Sequence, residues 1–157
     1  MKLPFGKIPV DILEKVVFKH LGYAKPGDKI ILTKHVGIEG TAILATEKDE
    51  LKRALEPTLL QSAKKFYNKI SVVKDALIAV KTGGVHAMHD PTEGGISGGI
   101  HEMAEASKVG FQVCEEKIPI QLETRKICEY FKIDPLQLIS SGALLISVEP
   151  EFAEKNN

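Results

Sequence analysis

Two pairs of glycines, Gly94-Gly95 and Gly98-Gly99, constrain the fold of this chain more than any other feature of its sequence. They follow the segment Asp90-Pro91-Thr92-Glu93, which predicts a helix with Asp90 as its N-cap. Each glycine inside a helix costs about 1 kcal/mol relative to alanine, so the four forgo roughly 3 to 4 kcal/mol of helix preference. Glycines four positions apart share one face, and we therefore expect another backbone or a ligand to approach this helix closely.

The start of this predicted helix is a candidate binding site for an anion. Its first turn presents free N–H groups and the positive end of the helix dipole, which together favour a phosphate. The carboxylates of Asp90 and Glu93 would repel a bare phosphate, and a magnesium ion or a protonated substrate group would resolve that conflict. The alternative interpretation is structural: a capped helix that packs tightly on a sheet through its glycines. The two interpretations are compatible.

The surrounding sequence HAMHDPTEGGISGGIHEMAEAS, residues 86–107, resembles the signature of the C-terminal domain in the superfamily of aminoimidazole ribonucleotide (AIR) synthase. That superfamily includes selenophosphate synthetase, thiamine monophosphate kinase and the hydrogenase maturation factor HypE, and the resemblance is nearest to HypE and the AIR-synthase-related proteins. It extends from about Gly22 to Val148, through AKPGDKIILTKHVGIEGTAILA and LISSGALLISV. The resemblance implies an α/β (α+β) domain in which helices cover a mixed β-sheet.

The same resemblance implies a role in an ATP-dependent enzyme. The domain would hold a small-molecule or peptide-borne amide or carbonyl substrate while ATP, with Mg²⁺, phosphorylates the substrate's oxygen. In that scheme the catalytic residues are Asp90, which orients the loop or a metal-bound water, and His89, which positions the substrate. The predicted substrate-binding and phosphate-binding residues are Thr92, Glu93, Gly94, Gly95, Ser97, Ser141 and Gly142.

Three parts of the family pattern are missing from the sequence. In the family, a whole ATP-binding domain separates the segments that here meet at Gly22-Tyr23, and it supplies most nucleotide and magnesium contacts. We therefore expect residues 1–22 to be an N-terminal helical remnant and residues 23–157 to be the C-terminal domain, shortened at its end. HypE-like proteins also tend to carry Asn-Glu-Gly where this chain has Ser140-Ser141-Gly142, and they end in a cysteine that accepts the carbamoyl group. The chain is then incomplete as a catalyst on its own, and the alternative hypothesis is a non-catalytic dimerisation or regulatory module.

Composition excludes several other classes of function. Lys plus Arg and Asp plus Glu are both 21, so the formal net charge is zero, and without a basic cluster a nucleic-acid partner is not expected. No apolar run is long enough for a membrane span or a signal peptide. Cys114 and Cys128 are isolated and read as reduced thiols of a cytoplasmic protein, which we expect to form a homodimer. His86 and His89 lie three apart in a predicted strand and point to opposite faces, so no metal site is predicted from them.

Periodicity and breaker residues predict the remaining elements. Ser71 is a candidate N-cap for a helix that stops at Gly83-Gly84, and Pro57 interrupts a charged helical region over residues 48–68. Further helices are predicted over residues 9–21 and 122–131, with a helical turn at Asp134-Pro135-Leu136. Gly37 and Gly40 bracket a turn into a short predicted helix with Ala42, Ile43 and Leu44. Strands are predicted over residues 28–34, 110–114 and 143–148.

Overall fold

A small antiparallel β-sheet covered by helices forms the centre of the protein, for which a computed structural model describes residues 21–153. Its strands are β1 (Lys29–Leu32), β2 (Val85–His89) and β3 (Leu145–Val148), in the spatial order β1-β3-β2. Both outer strands run antiparallel to β3, so β1 and β2 run parallel to each other. Every residue of β3 is buried, because strands flank it on both sides and helices cover both faces.

Helices surround the sheet and form a separate layer beside it. They are α1 (Ile38–Glu47), α2 (Leu51–Ala54), α3 (Pro57–Lys64), α4 (Val73–Thr82), α5 (Gly95–Ser107), α6 (Leu122–Phe131) and α7 (Pro150–Ala153). Short 3₁₀ helices occupy Leu21–Tyr23, Lys65–Lys69, Glu115–Lys117 and Pro135–Gln137.

The two faces of the sheet carry different helices. Met88 and Ile146 pack against the small residues of α4, whereas Ala87 and Leu145 pack against Met103 of α5. This division follows from the two-residue period of a strand, which sends neighbouring side chains to opposite faces. A third cluster joins α1, α3 and α6 around Leu51, Leu60 and Ile127, away from the sheet.

The fold class is confirmed, as are most of the predicted elements. Helix α4 ends at Thr82 with Gly83 as its C-cap, Pro57 is the first residue of α3, and Asp134 accepts a hydrogen bond from the N–H of Leu136 at its turn. Both strand pairings among residues 21–153 are antiparallel, whereas a mixed sheet was expected. The predicted helix over residues 9–21 lies almost entirely outside the described residues.

Two predictions about these elements are wrong. The N-cap of α4 is Val72 rather than Ser71, and no side chain caps this helix. Residues 110–114 form no strand, because none of the strands among residues 21–153 pairs with them. Among residues 21–153, no helix combines the length and the apolar character needed to cross a lipid bilayer.

Candidate functional site

The predicted site residues gather at one end of the sheet. Because β1 and β2 run parallel and β3 antiparallel, the chain leaves β1 at Lys34, leaves β2 at Asp90 and approaches β3 through Gly142 at this same end. This is the edge at which open α/β sheets place their ligands.

Helix α5 begins later than predicted, at Gly95, with Gly94 as its N-cap. The prediction of Asp90 as N-cap is wrong because Gly94 and Gly95 have positive φ values of 71° and 60°, which a right-handed helix does not continue through. Asp90-Pro91-Thr92 is therefore a loop rather than a first turn. Glycine is the favoured residue at both positive-φ positions. The four glycines therefore reduce the stability of this helix by less than the roughly 3 to 4 kcal/mol expected from helix preference alone.

The glycines of α5 allow close contact with the protein's own backbone. A Cβ on Gly95 would lie 2.5 Å from the carbonyl oxygen of Leu136 and 2.6 Å from that of Leu138. A Cβ on Gly99 would lie 2.6 Å from the Cβ of Pro91. On the buried side of α5, the expected close approach is thus made by the 3₁₀ turn and the loop, which supports the structural interpretation there.

The Asp90 carboxyl is the most unusual polar group at this end of the sheet. Its Oδ1 is buried and has no hydrogen-bond partner within the described residues. Burial raises the pKa of Asp90 above its ordinary value, and the nearby Glu39 carboxylate adds to the increase. The N–H of Gly142 faces the carboxylate and, with His89 and Lys34, opposes that increase. An acceptor held in this way is suited to receive a hydrogen bond from a ligand.

Lys34 holds the loop that brings Gly142 to Asp90. This lysine was not among the residues predicted from the sequence. Its Nζ donates to the carbonyl oxygens of Gly142 (2.6 Å) and Ser71 (3.0 Å) and forms an ion pair with Asp75 at 2.9 Å. Gly142 itself has φ of 101°, and a Cβ there would lie 2.9 Å from both the Cα of Ile70 and the carbonyl oxygen of Lys69. No short motif marks Lys34, because its partner Gly142 is 108 positions away.

The two histidines of β2 have different partners. His89 Nε2 lies 2.6 Å from Oε2 of Glu102 on α5, and its side chain is 16% exposed. His86 lies at the start of β2, with its Nδ1 2.9 Å from Oδ2 of Asp28 and its Nε2 3.0 Å from Oε1 of Glu149. His89 is therefore held beside the Asp90 loop, and His86 belongs to the start of the strand.

The other predicted binding residues are divided between the surface and the interior. Thr92, Glu93, Gly94 and Ser97 are exposed, and the Thr92 hydroxyl lies 3.4 Å from the carbonyl oxygen of Asp90. Ser141 is buried, at 8% exposure. The N–H of Gly95 donates to the carbonyl oxygen of Thr92 at 3.3 Å, so the protein already uses one of the predicted anion donors.

The predicted site residues fit a magnesium ion that takes one carboxylate ligand from the protein, but they do not fit an enclosed metal site. Within residues 21–153, no three His, Cys, Asp or Glu side chains lie close enough together to enclose a metal ion. Magnesium often binds through one or two carboxylates and substrate phosphates while it keeps several waters. The unpaired Oδ1 of Asp90 fits that second arrangement, as a ligand or as the acceptor for a metal-bound water.

Comparison with known proteins gives one family and several relatives. Residues 25–156 match the family model described as AIR synthase related protein, C-terminal domain. The chain is 32% identical over 133 residues to carbamoyl dehydratase HypE of Rhizobium leguminosarum bv. viciae, covering 83% of this chain and 35% of that protein. It is 33% identical over 129 residues to a putative hydrogenase expression/formation protein of Methanocaldococcus jannaschii, covering 82% and 36%. The chain thus spans about a third of the length of these relatives.

Solved structures agree with this fold. A crystal structure of the hydrogenase maturation protein HypE in complex with ATP matches with a TM-score of 0.63 and 26% identity, covering 87% of this chain and 38% of that one. Thiamine monophosphate kinase from Aquifex aeolicus, at 18% identity and a TM-score of 0.63, shares the fold.

Proposed function

Since the chain belongs to the family of AIR synthase related proteins, as their C-terminal domain, we propose that it is the substrate side of an ATP-dependent enzyme. The reaction is the phosphorylation of an amide or carbonyl oxygen: that oxygen bonds to the γ-phosphorus as the bond to ADP breaks. The carbon–oxygen bond then breaks, by displacement or elimination, and the phosphorylated oxygen leaves as inorganic phosphate. The ATP complex of the related HypE supports the choice of nucleotide.

The unpaired Asp90 Oδ1 is the observation that carries this proposal. Leaving a buried acceptor without a donor costs about 1–3 kcal/mol, and proteins accept such costs mainly where the group has a function. A substrate amide N–H or a magnesium-bound water would complete its hydrogen bonding. Asp90 then fixes the substrate's orientation, and His89, held by Glu102, forms the wall beside it.

The anion-binding role is assigned to the exposed side of the same turn. Thr92 and the N–H of Gly94 are accessible there, whereas the N–H of Gly95 is used within the turn. Ser97 and Glu93 lie on this exposed side, whereas Ser141 and Gly142 are buried and the N–H of Gly142 faces Asp90. The Lys34 ammonium lowers the local negative charge while it positions Gly142.

Thermal unfolding with and without Mg²⁺ and ATP tests the proposal. A ligand at about a hundred times its dissociation constant stabilises by roughly 2.7 kcal/mol, which should raise the melting temperature by at least about 5 °C. Asp90→Ala should reduce that rise, whereas Glu105→Ala, on an exposed part of α5, should leave it unchanged. An equal rise in wild type and Asp90→Ala would remove Asp90 from the site.

A non-catalytic module is the second candidate, and the packing of α5 favours it. The carbonyl groups of Leu136 and Leu138 fill the space beside Gly95, so the glycines there have a structural role. Under this proposal Mg²⁺ and ATP cause no shift, and the chain forms a homodimer, which sedimentation velocity measures. A monomer that also fails to respond to nucleotide would contradict both candidates.

A further inference from the structure

His86 is the extra residue of a β-bulge at the start of β2. Val85 and Ala87 pair with consecutive residues of β3, so His86 between them has no partner in the ladder. A bulge turns a side chain out of the regular alternation of a strand, and bulges are common beside functional sites. The His86 side chain is 12% exposed, at the end of the sheet opposite the candidate functional site.

Asp28 determines which nitrogen of the His86 ring always carries a hydrogen. Nδ1 of the ring lies 3.0 and 2.9 Å from the two carboxylate oxygens of Asp28. Burial alone would raise the pKa of Asp28, but its hydrogen bonds, that from His86 included, lower it. The ionised carboxylate can only accept, so Nδ1 donates in both protonation states of the ring. Proton uptake and release therefore take place at Nε2.

Two groups of opposite charge contact Nε2. Nζ of Lys25 lies 3.0 Å from this nitrogen, and Oε1 of Glu149 also lies 3.0 Å from it. An ammonium group can only donate, so the hydrogen bond from Lys25 requires an Nε2 without a hydrogen. A carboxylate can only accept, so the hydrogen bond to Glu149 requires an Nε2 that carries one. The two hydrogen bonds therefore belong to different protonation states of the ring.

No other charged side chain takes part in this contact. Among residues 21–153, the His86 ring forms hydrogen bonds or ion pairs only with Asp28, Lys25 and Glu149. Helices α4 and α5 pack against β2 through apolar residues. Other titratable side chains at this end of the sheet are exposed, and they include Tyr23, Lys29, Lys81, Glu105, Lys108 and Glu151. A proton at Nε2 thus acts mainly on the choice between Lys25 and Glu149.

We propose that His86 is a proton-dependent switch between the turn before β1 and the segment after β3. With a neutral ring, Nε2 accepts a hydrogen bond from Lys25, which ties this turn to β2. When Nε2 takes a proton from solvent, the Lys25 ammonium is repelled and Nε2–H donates to Glu149, just before α7. The hydrogen bond from Nδ1 to Asp28 is present in both states.

The contact that acid releases lies where the chain enters β1. The turn over residues 25–28 is closed by the N–H of Asp28, which donates to the carbonyl oxygen of Lys25 at 3.1 Å. Just before it, the N–H of Ala24 donates to Oγ of Ser107 at the end of α5, also at 3.1 Å. Without the Lys25 side chain on His86, the turn keeps only its local hydrogen bonds. Acid therefore loosens the entry to β1 and strengthens the link between β2 and the start of α7.

An NMR titration of the histidine rings tests the opposing effects of the two partners. Histidine side chains usually change charge between about pH 5 and 8, which sets the range for the full chain. Lys25→Met should raise the midpoint of the His86 titration, because it removes a cation beside Nε2, and Glu149→Gln should lower it. We expect each change to be about half a pH unit or more, since both partners are partly exposed. His101, which is 79% exposed and 3.9 Å from Glu105, is the reference, and neither variant should change its midpoint.

Amide hydrogen exchange, corrected for the intrinsic rate at each pH, measures the change in attachment. Between about pH 8 and pH 5, protection of the Asp28 amide should fall at least about threefold. Protection of the Glu149 amide, which donates to the carbonyl oxygen of Gly84, should rise over the same range. His86→Gln should remove both changes because its side chain does not titrate. Lys25→Met, at an exposed position, should remove only the fall at Asp28.

Either of two results would overturn the proposal. One is a His86 midpoint that moves in the same direction, or not at all, in Lys25→Met and Glu149→Gln. The other is equal protection of the Asp28 amide at the two ends of the pH range in the wild type. These experiments contain no nucleotide, so their outcome is independent of the proposed catalytic site.

Discussion

Asp90 lies just after β2, and one of its buried oxygens has no hydrogen-bond partner among residues 21–153, which makes its carboxyl a source of instability. We expect Asp90→Asn to raise the free energy of unfolding at neutral pH by about 1 kcal/mol, because a neutral amide costs less to bury than a carboxylate. Chemical denaturation followed by circular dichroism measures this change. A clear loss of stability would instead show that the charged form is satisfied in the fold.

The pH dependence of stability gives a second readout for the same residue. The folded pKa of Asp90 lies above the ordinary value of 3.8, so the charged carboxyl destabilises the fold above the folded pKa. That destabilisation is relieved as the pH falls through the folded pKa toward 3.8, and the contribution of Asp90 to the free energy of unfolding rises. Asp90→Asn should remove this rise while it leaves the contributions of other carboxyl groups in place.

Two separate features of the fold favour glycine at Gly142: the φ angle there is positive, and there is no space for a side chain. We expect Gly142→Ala to lower the free energy of unfolding by about 2–3 kcal/mol, from strained backbone plus crowding against Ile70 and Lys69. Gly27 is a matched control: its φ is 93°, but a Cβ there would meet nothing within 4 Å. Gly27→Ala should therefore cost only about 1 kcal/mol. Equal losses in the two variants would show that crowding at Gly142 has no effect.

At the scale of elements, α1 and α6 are joined by a buried hydrogen bond between Thr41 Oγ1 and Thr124 Oγ1, 2.8 Å apart. We expect either Thr41→Val or Thr124→Val to cost about 1–3 kcal/mol, because each leaves a buried hydroxyl without its partner. The double variant should cost less than the sum, since no polar group remains unpaired. A double-mutant cycle from denaturant unfolding measures this coupling, and additive losses would show that the two hydroxyls do not depend on each other.

Elements that carry a local signal were predictable from the sequence. Pro57 begins α3, Gly83 ends α4, and the Asp134 turn forms as expected, since each depends on a few neighbouring residues. The strand predicted over residues 110–114 is absent because a strand needs a partner, and local alternation does not show whether one exists. The N-cap of α5 was misplaced because Asp90 satisfies the capping pattern, while the positive φ of Gly94 is set by packing.

The sequence indicated candidate site residues but not the contacts between them. Asp90 and Gly142 were both expected to belong to it, from a resemblance that covers most of the chain. The N–H of Gly142 faces the Asp90 carboxylate because β2 pairs with β3. It also depends on Lys34, which donates a hydrogen bond to the carbonyl oxygen of Gly142, 108 positions away in the sequence. Such contacts between distant parts of the sequence are set by topology, so periodicity and motifs do not reveal them.

At the scale of the whole molecule, Asp28 connects all three strands at the end of the sheet opposite Asp90. Its carboxylate accepts from Ser147 of β3 at 2.5 Å and contacts His86 of β2 at 2.9 Å, just before β1 begins. Its side chain is only 4% exposed. Burial alone would raise the pKa of Asp28, but the hydrogen bonds from Ser147, the Lys25 N–H and His86 together lower it. The charged form is therefore part of the folded structure.

This arrangement predicts that Asp28 and Asp90 respond to acid in opposite ways. Because the folded pKa of Asp28 lies below 3.8, its stabilising contribution is complete above that value and is lost as the pH falls through the folded pKa. We expect Asp28→Asn to cost about 2 kcal/mol at neutral pH and to flatten the loss of stability below pH 3.8, measured by denaturant unfolding across pH. Asp49→Asn is the control, since Asp49 also has a lowered pKa but its side chain is 84% exposed and screened by water. If both variants cost the same, the three-strand contact of Asp28 contributes nothing beyond an ordinary surface carboxylate.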